Sequence, residues 1–371
     1  MTKSSPLLIV LCMLLSAVRA DANNGITEQY IAQALQGDLS SAQVLFSGGQ
    51  SAGLTAGSAE LSRQFQSRFI DREDESSPGT GDGLADRVIS AYRIYWSRSL
   101  TGEISEEQAG IRLRDSLSQI LAGQVETSAP PSADELYPEL GRALNGRGFH
   151  VLHDDAPPLK DLILWKSEEV RQYSVRLSDS TENVVVVFLS DIFSMGWKDY
   201  ATFGLAFTTG WVEDGRLYCV DWAYDRQSEK FEISYLKHES RHLADFRNFP
   251  DLSSADLEYR AKLTELAFSS KTTTQLLNDF TRKSAMNPSA PHAYANYRVT
   301  RDIYRKIHNS PMPDSGDPWA QVSTAKISRS ARSLLETDTH RLRSGSPLPS
   351  STRNQTVPGF LRNSPCPGSN N

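Results

Sequence analysis

Cysteine is scarce in this chain: three residues in 371, at positions 12, 219 and 366. So few thiols exclude a disulfide-stapled scaffold and any cysteine-based metal site, which leaves imidazole and carboxylate groups for metal chemistry. A Cys219–Cys366 bridge would join a strand-like run to the terminal tail, and nothing in the spacing supports it. Basic charge is also short. With 39 Lys and Arg against 45 Asp and Glu, the net charge is -6, and the electrostatic footprint of a nucleic-acid binder is missing. No apolar run approaches the roughly 20 residues that a membrane-spanning helix needs, so stable membrane insertion is not expected. Internal repeats are absent, and Gly48-Gly49, Gly79, Gly81 and Gly83 lack the strand and helix flanks of a phosphate loop.

What is present begins with an export address. Lys3 supplies a short positive region, Leu7 to Leu15 an apolar stretch, and Val18-Arg19-Ala20 a small-residue cleavage site before Asp21. Residues 1–20 therefore read as a signal peptide, and the mature chain as periplasmic or secreted. Leu11 before Cys12 is too bulky for a lipoprotein site.

From 21 to 126 the pattern is helical. Leu84, Val88, Ile89, Tyr92 and Tyr95 recur at three-to-four spacing, as do Ile111, Leu113, Leu117, Ile120 and Leu121. Ser105 to Gln108 has capping-box form, and Gly123 stands where a helix ends. Residues 127–134, with Pro130-Pro131, read as a linker separating this helical N-terminal domain from the rest.

Beyond it the residues become β-branched and aromatic. Leu162 to Trp165, Tyr173 to Leu177, Val184 to Leu189, Arg216 to Trp222 and Phe231 to Tyr235 are all strand-like. In the last run Phe231, Ile233 and Tyr235 alternate with polar neighbours, so a strand is expected to feed the segment that follows. Helices are expected over Ala255 to Ser270 and Pro291 to Ile307. After Asn309 the apolar residues thin out among Pro, Ser, Arg and Thr, and 310–371 reads as a disordered tail.

The chemistry concentrates at His238-Glu239-Ser240-Arg241-His242. On a helix, histidines four apart share a face and can offer two ring nitrogens to one ion about 2 Å away. Glu239, next to the first of them, can then act as general base toward water activated by the metal, and as acid toward the leaving group. A chance HExxH occurs roughly once in a hundred chains of this length, so context must carry part of the case. The following helix supplies it: Glu258 and Glu265, seven apart, share a face, and either can be the third ligand.

This arrangement resembles the gluzincin branch of HExxH zinc metallopeptidases, in which a Glu on the next helix completes the site. Glu258-Tyr259-Arg260-Ala261 is similar to their ExxA(D) element, with Lys262 where Asp is usual. The resemblance spans Phe231 to Phe268. The metzincin pattern fits less well, since Asp245 stands where it needs Gly and Asn248 where it needs His or Asp. The resemblance implies one zinc ion held by His238, His242 and Glu258, with Glu265 in reserve, and hydrolysis of a peptide or other amide bond. In that family a later His, Tyr or Arg stabilises the developing oxyanion, which makes His292 and Tyr294 candidates.

Asp245, three residues after His242, reads equally as the acceptor of a ligand ring's second N–H or as a solvated carboxylate. Glu265 reads equally as a site residue or as an exposed partner of Lys262. His150 and His153, without further ligand spacing, read as a surface turn, and Tyr218, Trp222 and Tyr224 as sheet packing. The expectation is an α+β protein: a zincin-like catalytic domain at 135–309, a helical domain before it, and a tail after it. Arg216 to Trp222 is expected to form a cleft edge for an extended substrate. The alternative is a non-catalytic exported protein that binds zinc or associates with the envelope.

Overall fold

A computed structural model describes residues 10–12, 25–47, 56–73, 77–123, 133–288, 290–313 and 315–345. Most of the leader, the prolines of the expected linker, Gly48-Gly49, Cys366 and positions 346–371 lie outside the described residues.

In chain order the elements are β1 (Val10–Cys12), α1 (Gly25–Leu35), α2 (Ala42–Ser47), α3 (Ala56–Phe65), α4 (Gly83–Leu100), α5 (Glu106–Ala122) and α6 (Ala133–Asn145). Next come β2 (His150–Ala156), β3 (Leu159–Arg176), β4 (Thr181–Met195), α7 (Trp197–Thr202), β5 (Gly210–Glu213) and β6 (Arg216–Val220). The chain ends in α8 (His238–Asn248), α9 (Ser254–Phe268), α10 (Thr273–Arg282), α11 (Pro291–His308) and α12 (Thr324–Arg343). The α+β character is as expected. No helix among the described residues is long and apolar enough to cross a membrane.

One mixed sheet runs β1-β5-β6-β4-β3-β2, antiparallel except where β4 pairs parallel with β6. Along β4 the pleat sends Val184, Val186 and Phe188 to one face and Val187 and Leu189 to the other, each into a buried cluster. The first face packs against Phe231, Tyr235 and Ala244, and so carries the segment leading into α8. β6 lies between β5 and β4, which corrects the expectation that Arg216 to Trp222 forms a cleft edge: its backbone is paired on both sides. Past Val220 the strand gives way to a tight turn, and Trp222 is 62% exposed rather than packed on the sheet.

Helix ends match the capping chemistry. Ser105 accepts from the Gln108 backbone N–H at 3.3 Å, and Asp82 accepts from Leu84 and Ala85 at the start of α4. Tyr92, Trp96 and Leu113 of the N-terminal helices lie in one apolar cluster with Leu140 of α6, Leu162 and Leu164 of β3 and Trp197 of α7.

Three expectations are corrected. Phe231–Lys237 is π-helical, not a strand, and runs directly into α8. Every residue from Ile233 to Lys237 is buried, so the alternation of Phe231, Ile233 and Tyr235 carried no information about which period is used. The Phe231 and Tyr235 rings stack at 5.6 Å, a contact that only a helical turn allows across four residues. Secondly, the expected tail contains α12, whose Ile327, Ala331 and Leu335 pack with Leu263, Leu266 and Val299. Its apolar stripe is narrow and flanked by buried Ser330 and Thr339, which is why composition alone suggested disorder. Thirdly, His150 and His153 lie in β2, not in a surface turn. His153 is half-buried beside Tyr92, whose hydroxyl is 3.1 Å from its Nδ1, and the shielding of its ring pushes its pKa down to about 4.

Candidate metal centre

Gly210 shapes the floor of the site. A side chain there would meet the Tyr218 carbonyl oxygen at 2.5 Å and the Tyr235 ring at 2.6 Å. The bare backbone lets β5 lie against Tyr235, whose hydroxyl donates to Tyr218 O at 2.8 Å. That bond ties the π-helical turn to the sheet one turn before His238. The His238 N–H reaches back to Ile233 O, the five-residue step of that turn, and α-helical bonding resumes from there.

α9 is buried on every side: all eleven residues from Leu257 to Ala267 are shielded. A helix with no solvent face has to pair each charge it carries. Glu258 meets His238, His242, His292 and Lys262, Arg260 meets Asp245 and Asp338, and Glu265 meets His238.

The histidines of the motif converge. His238 Nε2 and His242 Nε2 lie 3.0 Å apart, and Glu258 Oε1 lies 3.2 Å from His242 Nε2. Glu258 Oε2 is 3.7 Å from His238 Nε2. A tetrahedral ion with bonds of about 2.0–2.1 Å holds its donors roughly 3.3 Å apart, so these three groups fit one small cation. His238, His242 and Glu258 form a buried group that can hold a metal ion.

Two further observations fit that occupant. Both carboxylate oxygens of Glu239 are fully buried and accept no hydrogen bond among the described residues, which leaves this acid free to serve a partner at the start of α8. Burial alone would push the Glu258 pKa up. The charge of His292, whose Nδ1 lies 2.9 Å away, and the neighbouring His238 and His242 rings outweigh it and hold this carboxyl well below the usual range. An ionised carboxylate between two imidazoles is a donor set suited to zinc.

The remaining candidates separate clearly. Glu265 Oε1 takes the Nδ1–H of His238 at 2.8 Å, on the ring edge opposite the convergence point, and so stands behind the ligand rather than beside it. The role expected of Asp245 falls to Glu265 instead. Asp245 is neither solvated nor on a ring: it is buried in a two-pronged pair with Arg260, at 2.8 and 3.0 Å. His292 Nδ1 lies 2.9 Å from Glu258 Oε2 and joins the site from α11. Tyr294 stacks on Tyr297 and meets the Arg298 guanidinium, and among the described residues no contact brings it to the site. Lys262, one alternative partner for Glu265, instead has its Nζ 3.6 Å from Glu258 Oε2 and over the Phe280 ring.

Side-chain exposure is 32% at His292, 5% at His238, 2% at Glu258 and 0% at His242, so of these four residues His292 is the one that reaches solvent. The Lys262–Glu258 contact was legible in their i,i+4 spacing, but Lys262 was weighed only against Glu265, three residues further on. Comparison of the chain with protein-family models, with curated proteins and with solved structures found no match.

Proposed function

We propose that the chain is an exported zinc-dependent hydrolase of peptide or other amide bonds, with the gluzincin arrangement of HExxH and a Glu on the next helix. The observation that carries this reading is the convergence of His238, His242 and Glu258, with Glu239, next to His238 in the chain, buried and without a hydrogen bond among the described residues. His238 and His242 present their Nε2 atoms, and Glu265 holds the His238 ring by its other nitrogen. His292 and Lys262 hold Glu258 ionised and oriented from its outer side. Zinc, when bound, supplies Lewis-acid charge that brings the ionisation of water into the neutral range. Glu239 accepts the proton of the attacking water and returns it to the departing nitrogen. His292, on the solvent side, is the donor best situated for a developing oxyanion.

The test begins with metal content. The purified mature chain is expected to hold about one zinc per molecule; Glu239→Gln keeps it and loses hydrolysis, and His238→Ala loses both. Zinc-free protein whose stability ignores chelators would sink the proposal.

The near-complete burial of the three ligands favours a second reading, a zinc site that serves the fold without turnover. A zinc-loaded chain that cleaves neither peptides nor cell-wall amides across a substrate screen would establish it.

A further inference from the structure

A chain of alternating charge crosses the molecule beside the metal centre. Arg341 Nη2 lies 2.7 Å from Asp338 Oδ1, whose other oxygen lies 2.7 Å from Arg260 Nη1. Arg260 then grips Asp245 with Nε and Nη2, and Asp245 faces Arg241 Nε at 3.5 Å. Arg241 Nη1 closes the series on Asp179 at 2.8 Å, in the turn between β3 and β4. Three guanidiniums and three carboxylates cancel. The middle of the series, Arg241, Asp245 and Arg260, is buried to within 1%. The series enters at α12 and leaves at the sheet.

Its course relative to the ligands gives it a role. Asp245 follows His242 by three residues and Arg260 follows Glu258 by two, so the Arg260–Asp245 fork locks the two ligand-bearing helices together within a turn of the site. Asp338, with Thr339 Oγ1 at 3.2 Å from Arg260 Nη2, holds the other edge of the same guanidinium. A planar group fixed on both edges cannot rotate, and the angle between α8 and α9 is fixed with it.

We infer that Asp338 and Arg260 are positioning residues for the metal centre: α12, through Asp338, sets the spacing between His242 and Glu258. This rests on the proposed metal-binding reading. Residues that orient ligands from outside typically change metal affinity by 10–100-fold when replaced.

The experiment measures zinc affinity of the full chain by competition with a chelator, alongside thermal unfolding. Asp338→Asn is expected to weaken zinc binding by about tenfold, and Asp338→Glu to recover most of it. Thr339→Val, which removes only one hydroxyl, shifts affinity the same way by less, and serves if Asp338→Asn does not fold. Leu335→Ala loosens the apolar packing of α12 without touching the charges. It should lower the melting temperature yet leave the affinity of the folded protein unchanged. Equal affinity in wild type, Asp338→Asn and Thr339→Val overturns the inference while leaving the metal site standing. A wild-type chain that binds no zinc overturns both.

Discussion

Glu265 Oε1 sits 2.8 Å from His238 Nδ1, directly behind the ring whose Nε2 converges with His242. The bond fixes which ring nitrogen carries the proton and leaves the other with its lone pair toward His242 and Glu258, where a cation would bind. Glu265→Gln should therefore still fold but bind zinc more weakly, by roughly 10–100-fold in a chelator competition. Unchanged affinity would show that the ring is oriented by packing alone.

His292 and Tyr294 are two residues apart and should differ sharply. His292 touches Glu258, whereas Tyr294 stacks on Tyr297 away from it. His292→Ala is expected to lower both zinc affinity and turnover, and Tyr294→Phe to leave both within twofold. Loss of turnover in the Tyr294 variant would place an untested contact in the reaction path.

His153 supplies a pH signature independent of the metal. Its pKa is about 4 in the fold, against 6.5 for the ordinary side chain, because burial disfavours the charged ring. The unfolded chain thus binds a proton below pH 6.5 that the folded chain refuses until about pH 4, and stability falls as pH drops through that window. The contribution reaches about 3 kcal/mol at the acid end. Urea unfolding of His153→Gln between pH 7 and 4.5 should show a shallower acid loss than wild type; parallel curves would refute this.

Gly210→Ala tests the floor of the site. The added carbon would strike the Tyr218 backbone and the Tyr235 ring, and the strand has no room to retreat from the motif segment. Destabilisation of about 1–3 kcal/mol is expected in urea, the usual range for overpacking. A neutral substitution would mean that β5 can slide outward.

Much of the scaffold was legible because its period was visible. α4 and α5 keep an apolar stripe at helical spacing, and β4 alternates between two buried faces. Where a segment is buried all round, the period vanishes. Phe231–Lys237 was misread for that reason, and Glu265 of α9, for which an exposed position was one of two readings, is buried. α12 failed differently, since three apolar residues four apart are too few to stand out from a polar background.

The sequence by itself determined that His238 and His242 share a helix face with Glu239 between them, because four residues make about one turn. It also narrowed the third ligand to two glutamates on the next helix. Only the tertiary structure separates their positions, bringing Glu258 to the ring nitrogens in front, in a group that can hold an ion, and Glu265 to the one behind. It alone assigned Asp245 to Arg260 and brought His292 onto Glu258 from α11. The reason is physical: periodicity fixes directions within one helix, whereas partners across helices follow from how buried helices dock and which charges they must neutralise in doing so.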